Sequence, residues 1–257
     1  MDSLVTRTGE AILRTADLLT TEFGIYCWDF LPYEAIAVIL TYIFANKDKL
    51  CQDDIVRVRQ WFGRSAFSER YRGASDNFIS KDLKSIQKFI VEGQASPSSF
   101  GGIPDVDALL ELSFRSNNAR SRAFILLLAA HRPRNPTNGI AVDCTEALSI
   151  CNKKQFHHVY PQAFLRRTEP EAVADALMNI CILSASENRA IGDRNPHEYL
   201  RALADALGAQ AESIFGSCLL PSPTETDYSA LSYEAFLRLR AQLIHPRIEQ
   251  VCRGDYV

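Results

Sequence analysis

The chain has 257 residues, 47% hydrophobic and 23% charged, with a formal net charge of -3. Those are the values of an ordinary globular protein with ample length for a core. They exclude nucleic-acid binding driven by overall positive charge, so any such contact needs a local basic surface. Two arginine-rich stretches offer one: Arg115, Arg120, Arg122, Arg132 and Arg134 in a run without acids, and Arg57, Arg59, Arg64, Arg70 and Arg72 with only Glu69 among them.

The first part of the chain reads as helix. Residues 4–23 place Leu4, Ile12, Leu13, Leu18 and Leu19 in a loose amphipathic pattern. Residues 33–44, after Pro32, are apolar nearly all round, which predicts a central bundle helix. Asp53 and Asp54 are expected to cap the next helix, with Ile55, Val58, Trp61 and Phe62 at helical spacing. Asp76 and Ser80 precede another, with Leu83, Ile86, Phe89 and Ile90 on one face. Residues 94–104 form a loop or linker, and helices are predicted around 106–114 and 119–131. A Pro/Asn/Gly break at 132–139 then divides a helical region, 1–135, from residues 136–257.

That second region predicts a short helix at 143–151, a strand at 154–160, and a helix at 169–178 capped by Thr168. A strand follows at 179–184, then helix from 186 to about 207 interrupted at Asn195-Pro196, and an amphipathic helix at 228–244 with Leu231, Ala235, Leu239 and Leu243 on its apolar face. The fold class expected is mainly α (α+β), a helical bundle with a small β insertion. Seven scattered cysteines without a C-x-x-C pair argue against a zinc ribbon and point to a reduced, cytoplasmic setting. Asp2, Arg7 and Glu10 interrupt any leader-like stretch, and the most apolar runs, 35–45 and 123–130, are too short to span a membrane.

The chemistry concentrates around two adjacent histidines in Phe156-His157-His158-Val159-Tyr160-Pro161. The next strand opens with Asn179, and the following helix carries Asn188 in Glu187-Asn188-Arg189. Phosphodiester cleavage needs a group that takes a proton from water and a cation that neutralises charge on the phosphate. Imidazole titrates near neutral pH and suits the first task. A divalent cation needs few protein ligands here, because phosphate and water fill its remaining positions.

These blocks resemble the ββα motif of HNH (His-Me finger) nucleases: His-His-Val-Tyr-Pro is similar to their Asp-His-x-x-Pro strand, and Asn179-Ile-Cys-Ile-Leu to their second strand. Residues 183–200, and the upstream run 61–71, resemble the C-terminal part of GmrSD-type modification-dependent restriction endonucleases. The resemblance implies a metal-dependent DNA endonuclease or nickase of an anti-phage system. His158 would be the general base, and Asn179 would orient it through the backbone. His157 and Asn188 would be metal ligands, and Arg189 and Arg194 phosphate contacts.

His157 stands where that family carries an acid. Nitrogen ligation shifts the expected metal from Mg²⁺ toward Mn²⁺, with Ni²⁺ or Zn²⁺ also accommodated. Neighbours on a regular strand point to opposite faces, so the two histidines share one metal only if the strand is distorted. The competing expectation is a catalytically silent DNA-binding or protein-interaction module that keeps the fold. The resemblance also implies a partner region, an N-terminal nucleotide-binding domain. No G-x-x-x-x-G-K-[ST] loop is present here, so the chain reads as either a fragment that begins after it, the favoured expectation, or a stand-alone relative. Double-strand cleavage by one such site favours a homodimer.

Overall fold

The computed structural model describes residues 2–95, 100–148 and 156–255. Among the described residues helix predominates and the sheet has two short strands, so the protein is mainly α. The backbone divides into two compact units, one of residues 1–103, 117–123 and 248–257, the other of 104–116 and 124–247.

The first unit is helical. Helix α1 (Asp2–Phe23) packs on α2 (Glu34–Asn46), and α4 (Asp76–Glu92) packs on both α2 and α3 (Gln52–Phe67). Ile36, Ile39, Leu40 and Ile43 of α2 are fully buried, but Val38 is half exposed, so this helix is not sheathed all round as its composition implied. The caps also differ from expectation. Cys51 occupies the cap of α3, and Asp54 reaches back to the Cys51 N–H from the first turn at 2.9 Å. Ser75, rather than Asp76 or Ser80, caps α4 by accepting from the Phe78 N–H. The linker expected at 94–104 is not wholly detached: Phe100 is buried edge-on to Phe89, while residues 96–99 lie outside the described residues.

The arginine-rich stretches are turned largely to internal work. Arg57 bonds Asp54 and the Ile90 carbonyl, Arg59 bonds Glu22, and Arg70 is buried against Asp82. Arg120 and Arg122 donate to the carbonyls of Phe67 and Leu31. Buried guanidinium groups demand such partners.

The second unit contains α5 (Val106–Leu110), α7 (Cys144–Ala147), β1 (Phe156–His158), α8 (Gln162–Thr168), β2 (Ile180–Ile182), α9 (Ala185–Ile191), α10 (Pro196–Leu207) and α11 (Ala211–Ser217). Helices α6 (Ala119–Ala130) and α12 (Tyr233–Arg253) contribute residues to both units. Residues 149–155, which include parts of the predicted helix at 143–151 and strand at 154–160, lie outside the described residues. Asn195 caps α10 by accepting from the His197 N–H, with Pro196 at the first helical position, as the Asn-Pro interruption implied. Gly192, at φ 58°, ends α9 in a conformation that side chains disfavour.

Two expected helices are absent or shortened, for one shared reason. Residues 169–176 are not helical and Leu177–Asn179 form only a 3-10 turn; Thr168 is the last residue of α8 and caps nothing that follows. The helix expected at 106–114 stops at Leu110. The two segments bridge to each other instead: Ser113 pairs with Ala176, Phe114 N–H donates to the Asp175 carbonyl at 2.7 Å, and Leu177 N–H donates to the Leu112 carbonyl at 2.7 Å. Backbone groups committed to that ladder are not free for helical bonds.

Candidate functional site

Strand β1 pairs antiparallel with β2 in the register Phe156↔Ile182, His157↔Cys181 and His158↔Ile180. The ladder is short because Pro161 lacks an N–H and restricts the residue before it. Asn179 takes over at that point. Its carbonyl accepts from Val159 N–H, and its side-chain oxygen accepts from Tyr160 N–H at 2.8 Å. Its amide donates to the carbonyls of Tyr160 and Ala174 at 3.0 and 2.9 Å. Asn179 is fully buried, so these bonds tie the turn after β1 to the start of β2 without competition from water. The Tyr199 hydroxyl donates to the Val159 carbonyl, and Tyr160 packs against Tyr233 and Phe236 in the core of this unit.

His157 and His158 have opposite surroundings, as alternation along a strand requires. His158 is partly exposed, with Nε2 2.8 Å from Asp175 Oδ1; Gln162, one residue past Pro161, donates to the same oxygen at 2.9 Å. His157 is only 8% exposed, and its Nε2 is buried with no hydrogen-bond partner among the described residues. Burial, with a smaller contribution from the neighbouring His158, pushes the His157 ring down to about 4 from an ordinary value of 6.5. The buried ring is therefore neutral at pH 7.

That depression fixes a sign for stability. Between pH 6.5 and 4 the unfolded chain takes up a proton at this position and the folded chain does not, so stability falls as pH drops through this window. The full effect is on the order of 3 kcal/mol. Urea unfolding in EDTA at pH 7 and pH 5 checks it: His157→Gln is expected to lose less stability on acidification than the wild type. Equal losses in the two proteins would remove His157 as the source.

Asn188 lies half-buried in α9, two residues after the exposed Ser186. The helix is capped by Ser184, whose hydroxyl accepts from Glu187 N–H at 3.3 Å. Glu187 is buried: one carboxylate oxygen accepts from the Thr137 hydroxyl and the other has no partner among the described residues. Arg189 and Arg194 are both exposed, the latter donating to the Ile191 carbonyl and lying 5.9 Å from the Tyr199 ring centre. His197 is a packing residue, bonded to the Tyr228 carbonyl at 3.0 Å and edge-on to Tyr160. Among the described residues, no group of three or more His, Cys, Asp or Glu side chains is arranged to hold a metal.

Two residues beside His158, and a third that bonds the backbone just before Asn179, were not singled out by sequence. Asp175 and Gln162 were hidden because 169–178 reads as helix and 162–168 carries no motif. Arg240 is completely buried and donates to the carbonyls of Met178 and Leu219 at 2.7 and 3.0 Å, with Cys218 at 3.5 Å. Its only sequence signal is a charge inside an amphipathic helix, which ordinarily means solvent.

No helix among the described residues is long and apolar enough to cross a membrane. No family model matches the chain, and no solved structure matches it. The chain is 21% identical over 187 residues to an uncharacterized protein of Methanocaldococcus jannaschii, an alignment that covers 68% of this chain. It spans 29% of that relative's length.

Proposed function

We propose that this chain is an HNH-type, metal-dependent phosphodiesterase domain that cleaves or nicks DNA, in the setting of modification-dependent anti-phage restriction. The observation that carries the reading is His158: a partly exposed imidazole at the end of a strand, paired with a carboxylate, beside a turn clamped by buried Asn179. The chain order is β1, α8, β2, α9, so the paired strands are followed by a helix, and α8 lies between them; this order supports the ββα reading only in outline.

In this reading His158 accepts a proton from water, and Asn179 keeps the strand end and the following turn in register. Arg189 and Arg194 contact phosphate. His157 and Asn188 would hold the divalent cation. The orphaned His157 Nε2, on a ring kept neutral, fits a nitrogen ligand. When bound, the cation supplies charge neutralisation at the phosphate and at the leaving oxygen.

One observation favours the second reading, a catalytically silent DNA-binding or protein-interaction module. His157 is buried on the face opposite His158, where it serves equally as a packing residue. A plasmid-nicking assay with Mn²⁺ and with Mg²⁺ separates the two. The wild-type chain is expected to convert supercoiled plasmid to the nicked form, at least as fast with Mn²⁺ as with Mg²⁺. Strict dependence on Mg²⁺ would remove His157 from the ligand set. Equal activity in wild type and His158→Ala would end the nuclease reading.

A further inference from the structure

The segment that leaves helical form, 173–177, is held at every backbone position. The Val173 carbonyl accepts from the Tyr233 hydroxyl at 2.8 Å, and the Ala174 carbonyl from the Asn179 amide at 2.9 Å. The Asp175 carbonyl accepts from Phe114 N–H, Ala176 pairs with Ser113, and Leu177 N–H donates to Leu112. Phe114 in turn packs against Phe156, the first residue of β1. Asp175 is an exposed side chain on a rigid backbone, and its carboxylate meets His158.

Hydrogen-bond chemistry then decides which nitrogen of His158 carries the proton. A carboxylate only accepts, so an Nε2 at 2.8 Å from Asp175 Oδ1 donates to it. Gln162 donates its amide to the same oxygen at 2.9 Å. The 3.5 Å approach of Gln162 Nε2 to His158 Nε2 is thus two donors sharing one acceptor, not a bond between them. In neutral imidazole a protonated Nε2 leaves the lone pair on Nδ1.

We propose that Asp175 is a positioning residue for His158: it holds the imidazole with its proton on Nε2, so that Nδ1 is the nitrogen that takes the proton from water. The identity of the reactive nitrogen rests on the nuclease reading, whereas the Asp175–His158 pairing does not. In the step itself water loses a proton to Nδ1, and its oxygen forms the new bond to phosphorus as the bond to the leaving oxygen breaks; that leaving oxygen keeps the electron pair and takes a proton from solvent water. Nε2–H stays on Asp175, and the imidazolium returns its extra proton to solvent. Gln162 braces the carboxylate from the start of α8.

The test pairs a spectrum with kinetics. In ¹⁵N-labelled chain with EDTA, His158, assigned by its loss in His158→Ala, is expected to show a proton on Nε2 protected from solvent exchange. Asp175→Ala should abolish that protected signal, and Asp175→Glu should restore it in part. In the nicking assay Asp175→Ala should lower kcat roughly 10- to 100-fold with KM for DNA unchanged, since misplacing a reacting group is worth about that much. A His158 proton on Nδ1, or a protected Nε2 proton that survives Asp175→Ala, would overturn the pairing. Full kcat for Asp175→Ala in a chain that nicks DNA would overturn the positioning role. A wild-type chain that shows the protected proton yet does not nick DNA keeps the pairing and loses the nuclease reading.

Discussion

His158→Ala is expected to lower the rate of plasmid nicking by roughly two to four orders of magnitude, the usual worth of a general base. DNA affinity, measured by fluorescence anisotropy, should stay within about twofold, because the proposed phosphate contacts are Arg189 and Arg194 rather than the imidazole. The substitution is a clean one. The His158 side chain is 23% exposed and that of its partner Asp175 57% exposed, so truncation strands no buried charge. An exposed pair of this kind contributes about 0–1 kcal/mol to stability. Loss of activity with an unchanged unfolding midpoint therefore reports chemistry, and loss of both would report folding. Asn179→Ala behaves differently. It removes bonds to Tyr160 and Ala174 from the interior, so stability and rate should fall together.

The contrast between these two residues shows what the sequence carried. Asn179 was legible through the resemblance, which implied that it bonds backbone near the first strand, and its bonds to Tyr160 are local ones. The predicted strands appear at their expected centres, since β-favouring residues flanked by proline and asparagine leave few alternatives. The helix expected at 169–178 was a sound inference from Glu, Ala, Leu and Met content, and tertiary pairing overrode it. Residues 112–114 lie far away in the chain, and no periodicity within 169–178 records that they will bridge to Ala176 and Leu177. Asp175 owes its place beside His158 to that long-range pairing, and so was invisible before the fold was known. The opposite environments of the two histidines were foreseeable from strand alternation, but the depth at which His157 is buried was not.

Arg240 is the extreme case of this kind. Leu231, Ala235, Leu239 and Leu243 suggested the buried face of the last helix, yet Leu239 is 38% exposed and Arg240 completely buried. The burying face runs through Tyr233, Phe236, Arg240, Ala241 and Ile244. Burial lowers the guanidinium pKa from its ordinary value, opposed by nearby thiol and phenol groups. No carboxylate bonds it among the described residues; its bonds go to backbone carbonyls of Met178, Cys218 and Leu219. Cys218 and Leu219 directly follow α11, where unpaired carbonyls and the negative end of the helix favour a cation. Met178 directly precedes Asn179, so the same guanidinium holds the entry to β2. Arg240→Met keeps most of the apolar stem and removes every donor, leaving buried carbonyls unsatisfied at about 1–3 kcal/mol each. The expected loss is about 3–5 kcal/mol, read as a large fall in the urea or thermal midpoint. Arg240→Lys should fall between, because an ammonium keeps the charge but cannot span the carbonyls that a planar fork reaches. A midpoint for Arg240→Met equivalent to less than about 1 kcal/mol of destabilisation would mean that these carbonyls find other donors. In that case Arg240 would not be what holds the end of α11 and the start of β2 beside the site.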